Sequence, residues 1–490
     1  MAGSNGRRFR FNALYWLTWF HRWVGVALCL IFAMWFASGE VMVFVPFPSL
    51  AESARLAKSE AIDFSRLNMA PATALNAAPQ AEELRLSGIV GRPVYLASSE
   101  GRPTVAIGGD DGVKLALISG EVAQHIAERF LNAKAAGVEG PFDYDQWVVY
   151  QGFDSVRPFY RIAIDDADGS ELYVSARTGE VLQQTRRTER MWNWAGSVIH
   201  WVYFTPLRKS FYAWNEVVWW LSFVGVLMTA AGIWIGSVAF LKLRRTGRSG
   251  LSPFRGWLGW HHAIGLVACI FVLTWIFSGW LSMDHGFLFS TAQPSNAEPR
   301  HFMTMPVADV AEAVSLEDIK SLQPASEVRF SAIGQASFVV ARGGSDPQPR
   351  IFWASSMRSA PMRTLPGNVL WAAVQTAWPK DAILSKGPAS INDIYSLAEG
   401  VPDNTLLFVA ARANPVGIYI DNVTGKLLAT TDGSRRTYAW LYYALHTFNF
   451  PGLSQRTLLH HAIVSALMAL GFAFSITGVV VGVNRLRRIR

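Results

Sequence analysis

Seven of the ten histidines fall into two groups, which lie at opposite ends of long apolar stretches of the chain. The first group lies near the start of the first and third stretches: His21, His261 and His262. The second group lies just before or just inside the second and fourth stretches: His200, His446, His460 and His461. An imidazole in hydrocarbon is costly unless it is paired, hydrated or bound to a metal, so this placement indicates a function.

Imidazole pairs without carboxylate or thiolate companions are typical of the axial ligands of a haem iron. A zinc site would need four protein ligands, or three and a water molecule. We therefore predict that the seven histidines bind two b-type haems. Four of them are predicted to ligate the iron, with His461 as an alternative: His21, His261, His200 and His446. The competing interpretation is that these side chains are interfacial and hydrogen-bond to backbone carbonyls or lipid headgroups.

The composition indicates a membrane protein. Hydrophobic residues make up 51% of the 490 residues and charged residues only 16%, whereas soluble domains carry about 25% charged residues. This balance argues against a disordered chain and, with a net charge of +8, against a basic protein that binds nucleic acid. Two cysteines exclude a disulfide framework and a thiolate metal cluster. The sequence contains no glycine-rich phosphate loop and no dinucleotide fingerprint.

Four stretches are long and apolar enough to span a lipid bilayer, which takes about 20 residues. We predict transmembrane helices over 15–45, 214–241, 257–283 and 458–484. The first one is predicted to be an uncleaved anchor, because it is too long for a signal peptide and no small-residue cleavage site follows it. Buried helices of a soluble protein are the alternative, and they leave the flanking charges unexplained.

Positive charges are concentrated on one side of these stretches. They cluster before the first stretch, between the second and third, and after the fourth: Arg7, Arg8, Arg10, Lys242, Arg244, Arg245, Arg248, Arg255, Arg485, Arg487, Arg488 and Arg490. Since Lys and Arg accumulate in cytoplasmic loops, residues 1–14, 242–256 and 485–490 are predicted to be cytoplasmic. The two long segments, 46–213 and 284–457, are then predicted to lie on the far side of the membrane.

The second half of the sequence repeats the first half. At an offset of 240 residues, the first and third stretches match: His21/His261, Gly25/Gly265, Cys29/Cys269, Trp35/Trp275, Ser38/Ser278 and Gly39/Gly279. At an offset of 246 residues, the later parts match: Tyr173/Tyr419, Gly179/Gly425, Trp194/Trp440, His200/His446, Gly225/Gly471, Gly232/Gly478 and Gly236/Gly482. We predict a tandem duplication with pseudo-two-fold symmetry about the membrane normal. The small residues would let helices approach closely or leave room for a flat macrocycle.

The two long segments between the spans have the pattern of α/β domains. In the first segment, alternating strands are predicted at 159–164, 171–174 and 181–182, after an amphipathic helix over 118–131. The second segment repeats this ending, with strands predicted at 416–420 and 426–428. The remaining histidines are predicted to be surface residues of these segments: His125, His285 and His301.

These motifs resemble the PepSY-associated transmembrane family, also described as iron-regulated or iron-uptake membrane proteins. The resemblance rests on His21-Arg-Trp-Val-Gly25, on Ile199-His200, on their second copies, and on the endings Tyr173-Val-Ser-Ala-Arg-Thr-Gly-Glu-Val and Tyr419-Ile-Asp-Asn-Val-Thr-Gly-Lys-Leu. It implies a bacterial inner-membrane protein with four transmembrane helices and two α/β PepSY-like periplasmic domains. Some relatives bind b-type haem and reduce ferric siderophores. The chain departs from the family in its large outer segments and in three histidines: His262, His460 and His461.

The leading hypothesis is haem-dependent electron transfer from the cytoplasmic side to a periplasmic acceptor. By resemblance, the expected acceptor is a ferric siderophore, as for an oxidoreductase of iron uptake. A cytoplasmic reductase or a quinol would supply the electrons, since no flavin or nicotinamide site is visible. The alternatives are a non-redox, membrane-anchored PepSY protein that binds or regulates a partner, and a transporter. Against a transporter, the spans lack midplane charges and proline-broken helices.

Overall fold

The computed structural model describes residues 13–286, 288–290, 302, 305–344, 348–390 and 393–488. Five residues that carry predictions from the sequence lie outside the described residues: Arg7, Arg8, Arg10, His301 and Arg490. The predicted cytoplasmic segment 1–14 is described only from residue 13 onward.

Four long apolar helices form the membrane part of the protein: Ala13–Phe44, Phe211–Arg245, Gly256–Leu281 and Thr457–Arg487. The shortest has 26 residues and is about 39 Å long, enough to cross a hydrocarbon core of about 30 Å. The prediction of four membrane-spanning helices is confirmed, and the chain is a multi-pass membrane protein. The second helix starts three residues earlier than predicted, because the Ser210 hydroxyl caps it by accepting from the N–H of Ala213.

The main contacts of each spanning helix are with two neighbours. The first helix packs against the second and the fourth, and so does the third. The first and third helices therefore lie diagonally across the bundle, where the rings of Phe36 and Trp275 approach to 5.9 Å between centroids. Apolar side chains fill the middle of the bundle: Leu28, Phe32, Phe36, Met228, Ala268, Val272, Trp275, Ile276 and Val464.

The chain between the first and second spanning helices (45–210) is named the first extramembrane segment, and that between the third and fourth (282–456) the second. The strands of the first are β1 Glu83–Ile89, β2 Arg92–Ser98, β3 Val105–Gly108, β4 Ala135–Phe142, β5 Phe159–Ile164, β6 Glu171–Ser175 and β7 Val181–Thr185. The strands of the second are β8 Glu327–Ile333, β9 Ala336–Arg342, β10 Arg350–Trp353, β11 Ala382–Pro388, β12 Thr405–Ala411, β13 Val416–Asp421 and β14 Leu427–Thr431.

These strands form three antiparallel sheets. Each segment contributes one four-stranded sheet, in the orders β4-β5-β6-β7 and β11-β12-β13-β14. The third sheet has six strands in the order β10-β9-β8-β1-β2-β3 and is shared by both segments. Strand β1 pairs with β8, so that Leu84 lies opposite Phe330 and Arg85 opposite Arg329. The two extramembrane segments are therefore joined edge to edge through backbone hydrogen bonds.

Buried ion pairs reinforce this junction. Arg85 on β1 donates to Glu327 on β8 at 2.8 Å and to Glu180 at 2.9 Å. Arg55 donates to the same two carboxylates, at 3.1 and 3.0 Å. The carboxylate side chains are almost fully buried, and a buried charge is tolerated only when it is paired in this way.

Short helices accompany the sheets: Glu52–Lys58, Pro71–Leu75, Gly120–Leu131, Gln151–Val156 (3₁₀), Arg187–Asn193, Thr205–Arg208, Val307–Glu312, Leu316–Lys320, Gly367–Ala377, Ile394–Glu399, Gly433–Ala439 and Leu445–Thr447. Ser119 caps the helix Gly120–Leu131 by accepting from the N–H of Val122 at 3.4 Å. That helix buries Ala123 and Ala127 against the β4–β7 sheet, as the amphipathic pattern of residues 118–131 predicted.

Candidate cofactor-binding sites in the helix bundle

His21 of the first spanning helix and His261 of the third form a pair across the bundle. Their ring centroids are 6.5 Å apart, and their ring planes are inclined by 35°. Nδ1 of His21 lies 3.0 Å from the carbonyl oxygen of Met228, and Nδ1 of His261 lies 3.0 Å from Oγ1 of Thr477. Each ring is therefore oriented by a neighbouring helix, the second for His21 and the fourth for His261.

His200 and His446 form a second pair, at the end of the bundle next to the extramembrane segments. Their ring centroids are 6.2 Å apart, with ring planes inclined by 62°. Nδ1 of His200 lies 3.1 Å from Oγ of Ser38, and Nδ1 of His446 lies 3.1 Å from Oγ of Ser278. Both histidines precede a spanning helix in sequence, but their rings are held by the first and third helices.

The hydrogen bonds of the His21–His261 pair place the imidazole proton on Nδ1. The partner of His21 is a backbone carbonyl, which can only accept. The partner of His261 is the Thr477 hydroxyl, which donates its own proton to the carbonyl oxygen of Phe474 at 2.5 Å and so accepts from the imidazole. In both neutral rings Nε2 carries a lone pair, and it has no hydrogen-bond partner among the described residues.

The same reasoning applies to the His200–His446 pair. The Ser278 hydroxyl donates to the carbonyl oxygen of Trp275 at 3.0 Å, and therefore it accepts from Nδ1–H of His446. Ser38 likewise donates to the carbonyl oxygen of Trp35, at 3.2 Å, and Nδ1–H of His200 faces two acceptors, Oγ of Ser38 at 3.1 Å and the same Trp35 carbonyl oxygen at 3.2 Å. Within the described part of the chain, Nε2 of these two rings is again without a hydrogen-bond partner.

All four rings pack against glycine backbones. A β-carbon added to Gly232 would lie 2.5 Å from Cε1 of His21, closer than two non-bonded carbons can approach. For the other three rings, the distance from Cε1 to a β-carbon added to the neighbouring glycine is slightly longer. It is 3.4 Å for His261 and Gly478, 3.3 Å for His200 and Gly39, and 3.2 Å for His446 and Gly279. The matched glycines predicted from the repeat thus lie directly beside the paired histidines.

A distorted helical turn presents each histidine of the second pair. The turn is π-helical in both halves: Trp194–Val198 and Trp440–Ala444. The chain leaves the helix two residues after the histidine, at a residue with positive φ: Val202 (52°) and Phe448 (58°). The indole N–H of Trp35 donates to the carbonyl oxygen of His200 at 3.1 Å, and that of Trp275 donates to His446 at 2.9 Å. These bonds tie both histidines to the bundle.

The other three predicted histidines do not join the two pairs. Nε2 of His262 donates to the carbonyl oxygen of Gly236 at 3.0 Å, and Nε2 of His460 donates to that of Thr447 at 2.8 Å. His461 packs edge-on against an aromatic ring of the first spanning helix, with centroids 5.3 Å apart. The bonds of His262 and His460 are those expected of interfacial histidines that satisfy backbone carbonyls.

The two pairs are far apart along the bundle. Ser38, which holds His200, follows His21 by 17 residues on the same helix, a rise of about 26 Å. Aromatic side chains of the first and third helices, including Phe32, Phe36 and Trp275, fill the space between these levels. The bundle therefore contains two separate histidine sites with an apolar region between them.

Each pair has the spacing of two imidazoles bound to one metal ion. Metal–nitrogen bonds are about 2 Å long and each ring centre lies about 1 Å beyond Nε2, which puts the centroids about 6 Å apart. Among the described residues, no group of three or more His, Cys, Asp or Glu side chains is placed to hold a metal ion. Two protein ligands suit a metal whose remaining ligands come from a cofactor, such as the four nitrogens of a porphyrin.

The sequence did not identify every residue that holds the four rings. Met228 contributes only its carbonyl oxygen, which any residue type would provide. Thr477 has no matching hydroxyl in the first half, because Ala231 occupies the position 246 residues earlier. The serines at 38 and 278 were visible as matched small residues, but their hydrogen bonds to the histidines were not predicted.

A comparison with curated proteins finds no match to this chain. A family model described as the PepSY-associated TM region matches residues 18–485, nearly the whole sequence, and this range includes most or all of each spanning helix and both histidine pairs. The family suspected from the duplicated histidine motifs is therefore confirmed, and the chain belongs to the PepSY-associated transmembrane family.

Proposed function

We propose that this protein carries electrons across a bacterial inner membrane on two b-type haems, one held by His21 and His261 and one by His200 and His446. The observation that carries the proposal is the geometry of the two pairs. Their ring centroids lie 6.5 and 6.2 Å apart, as for two imidazoles on one metal ion, and Nε2 of the four rings has no hydrogen-bond partner among the residues that the structure describes.

The surrounding residues would hold and tune the cofactors. A haem iron between two imidazoles supplies reversible one-electron transfer. The acceptors of the four Nδ1 protons set the orientation of each ring and raise the basicity of its Nε2: Met228, Thr477, Ser38 and Ser278. Gly232 lets the His21 ring lie directly against the second spanning helix.

The separation of the two pairs supports transfer from one membrane face to the other. Electron tunnelling slows exponentially with distance, so a single step across a hydrocarbon core of about 30 Å is too slow for turnover. Two redox sites offset by about 26 Å along the helices put one site near each membrane face, and the porphyrin ring of each haem would shorten the tunnelling step between them, because the transferred electron is delocalised over the ring. The apolar side chains between them, such as Phe32 and Trp275, would exclude water and stray reactants.

We place the His21–His261 pair on the cytoplasmic side, because positive residues flank that end of the bundle: Lys242, Arg244, Arg245, Arg248, Arg255, Arg485, Arg487 and Arg488. The extramembrane segments then form two PepSY-like periplasmic domains. The two halves make matching contacts, with Ser38 holding His200 and Ser278 holding His446. These contacts support an origin by tandem duplication with pseudo-two-fold symmetry.

The electron donor and acceptor are proposed from the family and from the topology. A ferric siderophore in the periplasm is the acceptor that the resemblance favours, which would make the protein an oxidoreductase of iron uptake. A cytoplasmic reductase or a quinol would deliver electrons to the His21–His261 site.

The deciding experiment is an absorbance spectrum of the detergent-purified protein, before and after reduction with dithionite, with a pyridine haemochrome assay for stoichiometry. We expect the sharp reduced bands of six-coordinate b-type haem and about two haems per chain. A protein that is colourless when purified from haem-replete cells, and that stays colourless after addition of haem, would overturn the proposal. The non-redox PepSY binding protein would then be the better description.

A further inference from the structure

A cavity of about 220 Å³ lies in the first extramembrane segment, and none of its lining residues belongs to the histidine pairs. Its walls are the helices Glu52–Lys58 and Gly120–Leu131. Its floor is the end of β1 together with the turn that leads into β7. Ser326, which directly precedes β8, contributes to the lining from the second segment. The cavity is therefore next to the shared sheet.

The lining of this cavity carries excess positive charge. Its cationic or protonatable side chains are Arg55, Lys58, His125 and Arg129. Its two carboxylates are already neutralised: Glu180 accepts from Arg55 at 3.0 Å and from Arg85 at 2.9 Å, and Glu60 accepts from Arg129 at 2.8 Å. The ammonium group of Lys58 lies 5.2 Å from the ring of Phe130 and has no carboxylate partner among the described residues.

The same lining contains the hydroxyl group of Ser87, which has no hydrogen-bond partner among the described residues. Its side chain is 94% buried, yet its Oγ has no hydrogen-bond partner in the described part of the protein. A buried hydroxyl without a partner is rare in native proteins, because its lost hydration is not compensated. Ser87 is the residue of β1 opposite Glu327 on β8, so it lies at the junction of the two segments.

We infer that this cavity binds a small oxyanion, a carboxylate or phosphate group, through Lys58, Arg129 and Ser87. Lys58 and Arg129 supply charge, and Arg129 keeps guanidinium donors beyond the one that it gives to Glu60. The Ser87 hydroxyl supplies a neutral donor at the floor. The volume exceeds that of a bare phosphate ion, so the cavity also admits a small organic acid. This inference goes beyond the proposed electron transfer and does not depend on it.

Where the structure describes the second segment, two positions of the cavity lining carry different residues. The helix Gly367–Ala377 precedes β11 as Gly120–Leu131 precedes β4, and its sequence contains no Lys, Arg or His. The turn residue Glu180 is replaced by Lys426 at the matched position, which pairs with Glu83 at 3.2 Å. Among the described residues, the two halves therefore differ at these two positions of the inferred site.

Isothermal titration calorimetry on the full-length, detergent-purified protein tests this inference, with inorganic phosphate and citrate as separate probes. We expect at least one of them to bind wild-type protein. Lys58→Gln should weaken binding about tenfold, because an exposed side chain that supplies a charge-assisted bond is lost without harm to the fold. Lys134→Gln is the control, since Lys134 is an exposed lysine just beyond the helix Gly120–Leu131 and does not line the cavity, and this variant should bind like wild type.

Ser87→Ala provides a second, independent readout. It should weaken anion binding, but it should not lower the melting temperature of the ligand-free protein, because the deleted hydroxyl has no partner there. Binding of phosphate alone would identify a phosphate site, and binding of citrate alone a carboxylate site; either supports the inference. Failure of both probes to bind, or equal binding by wild type and Lys58→Gln, would overturn it.

Discussion

Ser278 accepts a hydrogen bond from Nδ1–H of His446 at 3.1 Å and donates one from its hydroxyl to the carbonyl oxygen of Trp275. Such a partner makes Nε2 a more basic ligand and favours ferric over ferrous iron. In Ser278→Ala this bond is lost, and we expect the midpoint potential of one haem to become more positive. Potentiometric titration monitored by absorbance measures the change. A potential equal to that of wild type would contradict this role of Ser278.

A double substitution tests the assignment of the second pair. His200→Ala combined with His446→Ala should reduce the haem content from about two to about one per chain, because both ligands of one site are removed. The pyridine haemochrome assay gives the stoichiometry. His460→Ala is the control, since Nε2 of His460 is occupied by the carbonyl of Thr447, and it should keep both haems. Full haem content in the double variant would refute the assignment.

A substitution at Gly232 tests the close contact between the second spanning helix and the His21 ring. In Gly232→Ala the new methyl group would lie 2.5 Å from Cε1 of His21, so the ring must move. We expect loss of one haem, or a shifted spectrum for it, with the second site unchanged. Gly482→Ala is the matched control on the fourth helix, because its β-carbon would meet Val26 at an ordinary 3.6 Å. Equal haem spectra for the two variants would show that the contact is unimportant.

The buried carboxylate at the shared sheet predicts a pH dependence of stability. Burial alone would raise the pKa of Glu327, but the guanidinium groups of Arg85, Arg329 and Arg55 lower it from 4.5 to about 2. A carboxylate with a lowered folded-state pKa contributes stability that is complete above pH 4.5 and is lost as the pH falls toward 2. Thermal unfolding of the purified protein between pH 7 and pH 3 should therefore show a falling melting temperature.

Glu327→Gln tests the origin of that dependence. Removal of one partner from a buried ion pair should cost about 3 kcal/mol at pH 7 and make the melting temperature less sensitive to acid. The control is Asp168→Asn, which removes an exposed ion pair with Arg186 and should cost less than about 1 kcal/mol. If Glu327→Gln were as stable as that control, the ion pairs would not hold the junction.

Reporter insertions test the proposed orientation. Alkaline phosphatase inserted after Gly101, in an exposed turn of the first extramembrane segment, should be active, because the enzyme needs the oxidising periplasm for its disulfides. The same insertion after Gly247, between the second and third spanning helices, should be inactive. The reverse pattern would place the His21–His261 pair on the periplasmic side and contradict the proposed direction of electron flow.

The sequence alone determined the spanning helices and the family. A long apolar stretch must satisfy its backbone hydrogen bonds within itself, so helix is the only local solution and its location can be read from composition. The helices near 15–45 and 257–283 were found for this reason. The repeat at offsets of 240 and 246 residues also singled out the four paired histidines and their glycine neighbours.

Only the tertiary structure decided how the four histidines singled out by the repeat pair with one another, and that the other three predicted histidines join neither pair. His261 pairs with His21, while its neighbour His262 points to the carbonyl of Gly236, because successive residues on a helix lie about 100° apart. The pairing of β1 with β8 was equally invisible, since strands 244 residues apart in sequence meet only through the folded chain. Local sequence determines where a helix or strand forms, whereas the packing of distant helices and strands determines which residues contact each other.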